Sequence, residues 1–359
     1  MVTVVQFSAP RRVALVDEPS EPMRPGTVRV STRHSGISAG TELTAYRGTN
    51  PLLTSSFDAR SRLFVTGEPA FSYPVSGWGY SEVGEVVDVA VDVTGLGRGD
   101  VVWGIWGHRE EAVLPAARLS GHVLPPGVSP LAGVFGRVGA VALNAVLAAD
   151  VHLGETVAVF GQGVIGLLAT RLAVLSGAHV TALDTQPARL RVASAMGAQV
   201  TIDPSEYGRE GPASTLRRQD GRGVDVAIEL SGTYRALHEA IRSVGPGGTV
   251  VAAGFYQGGG DGLRLGEEFH HNSVRLIASQ IGAVPSGLAP RWDVERLHLA
   301  FMGQVVTAAL DPLPLITHRF GVRDAGAAFE LLDRSTEPLQ VVLDFDEPGT
   351  GRAQGEDTP

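Results

Sequence analysis

The sequence predicts an α/β chain in which a β-rich domain, present in two pieces, brackets a doubly wound parallel sheet. Three observations carry that reading. Residues 1 to about 125 run in short alternating apolar stretches broken by Gly and Pro, the period-2 pattern of antiparallel strands with one solvated face. From Val157 the rhythm becomes strand then helix, repeated, which demands crossovers and hence a parallel sheet flanked by helices. Near Trp292 that alternation stops. Because the periodicity changes twice, the expected partition is 1–125 with 291–359 for the β-rich domain, and 126–290, including a leading connector, for the parallel-sheet domain.

In chain order, "GTVRVSTRHSGIS", "GEVVDVAVDV" and "GDVVWGIWG" are strands of the first part. The middle alternates "TVAVF", "VIGLLATRLAVLSG", "HVTALD", "PARLRVASAMG", "VTID", "VDVAIEL", "TYRALHEAIRSVG", "GTVVAAG" and "VRLIASQI". After Trp292 come a helical "DVERLHLAFM", a Pro-rich connector "DPLPLITHRF", a helix "VRDAGAAFELLD" and a strand "LQVVLDF". The closing "DEPGTGRAQGEDTP", polar and rich in Gly and Pro, is expected to be mobile.

Composition narrows the function classes. A formal net charge of −9 without a basic run argues against a nucleic-acid partner. No apolar run reads as membrane-spanning, and "MVTVVQFSAPRRVALVDEP" lacks the basic start and long apolar core of a secretory signal, so the expected location is the cytoplasm, with no membrane partner. The chain has no Cys and no Lys. Thiolate metal ligands, disulfides and thiol nucleophiles are thereby excluded, as are Schiff-base catalysis and a P-loop lysine.

Gly161, Gly163 and Gly166 form G-x-G-x-x-G directly after an apolar strand and at the mouth of a helix. The first glycine permits a tight turn, the second lets backbone approach a pyrophosphate, and the third lets helix and strand pack closely. Val164 and Ile165 complete this cofactor-binding turn. A second strand ends in Asp184, at the spacing of an acid that takes both ribose hydroxyls and repels a 2′-phosphate. The expected cofactor is therefore NAD ahead of NADP, although Arg189, a few residues on, is placed to reach a phosphate. A Gly-rich turn followed by a helix-capping Asp is the plainer alternative.

With these motifs, "GTVRVSTRHSGISAGTEL", "GEVVDVAVDVTGLGRGDVV", "LGETVAVFGQGVIG", "VDVAIELSG" and "SVGPGGTVVAAG" together resemble the medium-chain dehydrogenase/reductase superfamily along nearly the whole chain. The resemblance implies a discontinuous GroES-like catalytic domain split by a Rossmann domain, and a homodimer or homotetramer with "VRLIASQIGAVP" as a pairing edge. "SGISAGTEL" is most similar to the bacteriochlorophyllide dehydrogenase-like group, from which no substrate is inferred. Zinc-containing members carry a Cys after the Gly-Ile of the first motif, a Gly-His-Glu in the second, and a lobe of four Cys. Here those places hold Ser38 or Ala39, then Gly79, Tyr80 and Ser81, and no cysteine lobe can exist. The expectation is no zinc and no other metal.

Proton chemistry must then come from side chains. The resemblance puts Thr41 and Glu42 in slots that face the nicotinamide, Tyr80 where the zinc-binding His stands, and His108 in a substrate-contacting segment, making these four the catalytic candidates. Three have a structural alternative: Glu42 as the acid of a helix start, Tyr80 as a packing aromatic, His108 as a surface or hydrogen-bonded structural histidine. Tyr46, Arg47 and Arg137 follow, the arginines as anchors for an anionic group. Trp78, Trp103 and Trp106, with Phe71 and Tyr73, form either an apolar wall or core. The expected function is an NAD-dependent, zinc-independent oxidoreductase interconverting a secondary alcohol and a ketone on a small polyol, sugar-like or specialised metabolite. The alternatives are a zinc-free double-bond reductase of the enoyl or quinone type, and a non-catalytic nucleotide-binding protein.

Overall fold

The computed structural model describes residues 1–208, 210–218 and 221–345, so the closing segment read as mobile lies outside the described residues. The chain divides into two compact units, 1–137 with 304–359, and 138–303. Both limits fall later than 125 and 290, because two apolar helices, Gly136–Ala149 and Val294–Val306, run across or up to them and give most of their length to the second unit. These helices meet where Gly139 has no side chain: a Cβ there would overlap the ring of Phe301.

The first unit is built on a sheet ordered Ile316–Gly321, Gln340–Asp344, Thr27–Ile37, Glu82–Val89, Val101–Gly104, with Glu111–Pro115 also paired to Thr27–Ile37. Thr27–Ile37 alternates between buried and half-buried positions and runs antiparallel to its partners, with Val30 opposite Val86 and Ile37 opposite Val341. The last strand among the described residues thus completes a sheet begun near the start of the chain. "DPLPLITHRF", read as a connector, contains the strand Ile316–Gly321, parallel to Gln340–Asp344; its side chains are all half-buried up to the closing glycine, so it lacks the in–out alternation that reveals a strand. Phe7, Tyr46 and Phe329 fill one core of this unit; Val30, Val86 and Trp106 fill another.

In the second unit six parallel strands are ordered Val200–Ile202, His179–Leu183, Thr156–Phe160, Val224–Glu229, Val244–Ala252, Arg275–Ala278. That is the doubly wound Rossmann order, which reverses direction between Thr156–Phe160 and Val224–Glu229 and leaves a crevice at their carboxyl ends. Helices Val164–Leu175, Pro187–Ala195 and Tyr234–Ser243 supply the crossovers, and Arg275–Ala278 is an edge. One stretch corrects the sequence reading: Pro130–Ala149 is continuous helix, long and apolar enough by length and composition to cross a membrane. Arg137 and Asn144 interrupt it in sequence, and 72% of its apolar window is buried within the protein, as in a core helix.

Candidate active site

In the second unit each glycine of the motif has a separate cause. Gly161 sits at φ +88°, and a Cβ there would come 2.7 Å from the backbone nitrogen of Ser231. At Gly166 a Cβ would overlap the carbonyl oxygen of Gly161, so the helix Val164–Leu175 approaches the strand as only glycine allows. Gly163 differs: it caps that helix at φ −70°, and nothing lies within 4 Å of where its Cβ would be. Val164 and Ile165 open the helix over this free space, where unsatisfied amides and the helix dipole favour an anion. These residues fit a dinucleotide pyrophosphate.

Asp184 follows the strand His179–Leu183 and is largely buried. Its Oδ2 accepts from the amide of Gln162 at 2.6 Å and its Oδ1 from the amide of Gln186 at 2.8 Å, which ties it to the glycine turn. The Arg189 guanidinium stands 3.9 Å from Oδ2. Sequence reasoning missed Gln162, fully buried between the Val159 carbonyl and the Thr170 hydroxyl, because a glutamine between two glycines carries no signal. It also passed over Glu229, whose one signal is an acid closing the apolar run "VDVAIE".

In the first unit the strand Thr27–Ile37 delivers Ser35 and Ser38, and the helix Thr41–Arg47 follows with Glu42 in its first turn. Glu42 is no solvated helix-start acid. It is wholly buried, its Oε1 accepts from the Ser38 amide at 3.1 Å, and its Oε2 lies 2.6 Å from His108 Nε2. The other ring nitrogen of His108, Nδ1, is 2.5 Å from Ser35 Oγ. Ser35 gives its single hydroxyl proton to Glu82 Oε1 at 3.1 Å, so it accepts from His108 Nδ1–H. Glu82 also accepts the amides of Ser81 and Trp106, at 3.2 and 2.7 Å. Burial alone depresses the His108 imidazole, but Glu42, and then Glu82, outweigh it and raise its pKa. Burial raises Glu82, against the pull of His108.

Tyr80 and Thr41 meet at Ser38 instead. The Tyr80 hydroxyl donates to Ser38 Oγ, which also accepts the Thr41 amide at 3.4 Å. Burial, then the Glu42 charge, raises the phenol pKa, while Arg137 works to lower it. The four sequence candidates thus form two groups, and the bonds that join them at Ser38 are main-chain ones, its amide to Glu42 Oε1 and the Glu42 amide to its carbonyl, which do not pass a proton along. His108 has both nitrogens occupied and is 1% exposed, so it acts from behind the site. Zinc does not fit the Ser38–Tyr80 pair, which offers hydroxyl oxygens where Cys, His or carboxylate ligands are needed.

Other sequence candidates are structural. Tyr46 stacks on Phe329 at 5.5 Å, and Arg47 pairs with Asp333 at 2.5 Å. Trp103 and Trp106 are core, the latter donating to the Thr32 hydroxyl at 2.9 Å, while Trp78 packs beside Phe71 half-buried.

A family model described as zinc-binding dehydrogenase matches residues 164–292, a stretch that contains neither Ser38 nor Tyr80. The chain is 29% identical to D-guloside 3-dehydrogenase of Escherichia coli (strain K12) over 299 residues, 81% of this chain and 84% of that one. In structure it is similar to 2R,3R-butanediol dehydrogenase from Bacillus subtilis, with a TM-score of 0.77 at 22% identity over 96% of this chain and 99% of that chain. Galactitol-1-phosphate dehydrogenase from Escherichia coli gives a TM-score of 0.76 at 21% identity over 95% and 99%. At these identities the structural likeness speaks to the fold.

Proposed function

Because the chain belongs to the medium-chain dehydrogenase/reductase superfamily, we propose that it is an NAD-dependent, zinc-independent oxidoreductase interconverting a secondary alcohol and a ketone on a small polyol or sugar-like substrate. Oxidoreductase action on an alcohol is common to the named relatives. The observation that carries the finer reading is the Ser38–Tyr80 hydrogen bond, since the resemblance puts Ser38 or Ala39, and Tyr80, where zinc-containing members place metal ligands.

Bound NAD(H) supplies the hydride acceptor or donor. Ser38 accepts from Tyr80 and Thr41, which leaves its own O–H as the member of the trio with no acceptor among the described residues. In the ketone-reducing direction that O–H would give its proton to the substrate's carbonyl oxygen. Tyr80 then re-protonates Ser38, and solvent restores the phenol. The raised phenol pKa keeps Tyr80 a neutral donor at rest, and the Arg137 cation favours the transient phenolate. Glu42 and His108 hold Ser38 from behind through its amide. Asp184 at the strand end supports NAD over NADP, since a carboxylate there would repel a 2′-phosphate.

A panel of polyols, sugars and their ketones, followed by NADH absorbance on protein assayed for metal by elemental analysis, tests this reading. Turnover with NAD(H) on metal-free protein is expected. Turnover abolished by chelation and restored by zinc overturns the metal-free route, and no turnover despite tight NAD binding favours a non-catalytic role.

A further inference from the structure

Glu229 closes the fourth strand of the doubly wound sheet, wholly buried, and its carboxylate gathers the turns that follow the sheet. Oε1 accepts from the Ser231 amide at 2.7 Å and from the Ser231 hydroxyl; Oε2 accepts from the Gly232 amide at 3.2 Å and from the Tyr256 hydroxyl. Its main-chain carbonyl accepts from the amides of Ala253 and Gly254, at 3.0 and 2.9 Å. The 230–233 turn in its turn presses on the glycine motif. Leu230 donates to the Phe160 carbonyl at 2.8 Å, and the Ser231 nitrogen is the atom that a Cβ on Gly161 would strike. Gly254 can carry no side chain, because its Cβ would come 2.4 Å from the Gly232 backbone nitrogen, with Glu229 Oε2 beyond it at 2.8 Å.

The carboxylate therefore joins two turns directly, 230–233 and 253–256, and the first of these lies against the third, 161–163, at the carboxyl edge of the sheet beside the switch point. Burying a carboxylate among apolar strand ends is a poor route to stability; an apolar residue of similar volume serves a core as well or better. What the carboxylate does that an apolar side chain cannot is fix the turns relative to one another.

We propose that Glu229 is a positioning residue for the dinucleotide, holding the Ser231 and Tyr256 turns so that the Gly161 turn keeps its phosphate-ready shape; this rests on the NAD reading above. Glu229→Gln keeps the size but turns one oxygen into a donor facing donors, so the turns should part. Tyr256→Phe removes one donor and leaves the carboxylate. Calorimetric titration with NAD, beside KM and kcat, tests the role. For Glu229→Gln, NAD should bind about tenfold or more weakly, the scale of one lost charge-assisted hydrogen bond. Tyr256→Phe should weaken NAD by a smaller factor, and in both variants KM for NAD should rise while kcat at saturating NAD holds. Folded Glu229→Gln that binds NAD within about twofold of the unaltered protein overturns the proposal. Should Glu229→Gln not fold, Tyr256→Phe decides, and unchanged NAD affinity there overturns it. An unaltered protein that fails to bind NAD overturns the NAD reading itself, a separate failure.

Discussion

His108 and Glu42 form a buried pair, Nε2 to Oε2 at 2.6 Å, with both side chains closed to solvent. The folded imidazole binds its proton more tightly than the unfolded one does, whose pKa is ~6.5. Stability from this pair is therefore fully present below the unfolded value and is lost as pH rises through the raised folded value. Glu82, also raised, acts in the same sense from the ordinary carboxylate range upward. Urea midpoints should fall as pH rises from neutrality, and His108→Gln should flatten that fall. An equal slope in the variant would assign it to other groups.

Removing one partner of the pair leaves the other charge buried and alone. Glu42→Gln should cost about 3–5 kcal/mol of unfolding free energy, read from denaturant titration. It should also let the Tyr80 phenol titrate at lower pH by ultraviolet absorbance, since the Glu42 charge is one cause of its raised pKa. A cost under about 1 kcal/mol would mark the pair as energetically idle.

Tyr80→Phe keeps the ring and deletes the donor to Ser38. If the phenol backs proton delivery, turnover should drop on the order of a hundredfold, as for loss of one preorganised donor, while NAD affinity stays unchanged. Were the ring only packing, the change would be nearly silent in both measurements.

Much of this was legible in the sequence, for identifiable reasons. The parallel sheet announced itself through strand–helix alternation, and the glycine turn through spacing, because φ above zero and close backbone approach admit few residue types. Gly161, Gly166 and Asp184 have local causes and local signatures. The Ser35–His108–Glu42–Glu82 network does not: its members come from separate elements, brought together by sheet pairing such as Ser35 opposite Glu82. His108 was visible as a candidate, but only the fold shows both of its nitrogens already engaged. The strand Ile316–Gly321 went unseen because its half-buried side chains lack alternation.

Asp184 accepts two main-chain amides and is also the acid proposed above to take the ribose, so its replacement should act twice. Asp184→Ser should weaken NAD through both the lost ribose acceptor and the loosened Gln162 turn. With Arg189 relieved of its neighbour at 3.9 Å, NADP affinity should fall less or rise, narrowing or inverting the preference. Calorimetric titration with each dinucleotide reads this. A preference for NADP in the unaltered protein would refute the assignment.

The three glycines separate binding from folding. Gly163→Ala introduces a methyl where the protein leaves open space, at a φ of −70° that alanine adopts freely. Its stability should stay within about 0.5 kcal/mol of the unaltered protein, or rise slightly as the unfolded chain loses freedom. The same methyl projects into the space proposed for the pyrophosphate, so NAD affinity should fall about tenfold or more, the equivalent of one or two displaced amide contacts. Gly166→Ala behaves differently, because its methyl overlaps the Gly161 carbonyl and forces helix and strand apart, at about 1–3 kcal/mol of stability. Thermal denaturation beside NAD titration distinguishes the two. If Gly163→Ala binds NAD as the unaltered protein does, the open space at the helix start is not the phosphate site, and the dinucleotide reading loses its central support.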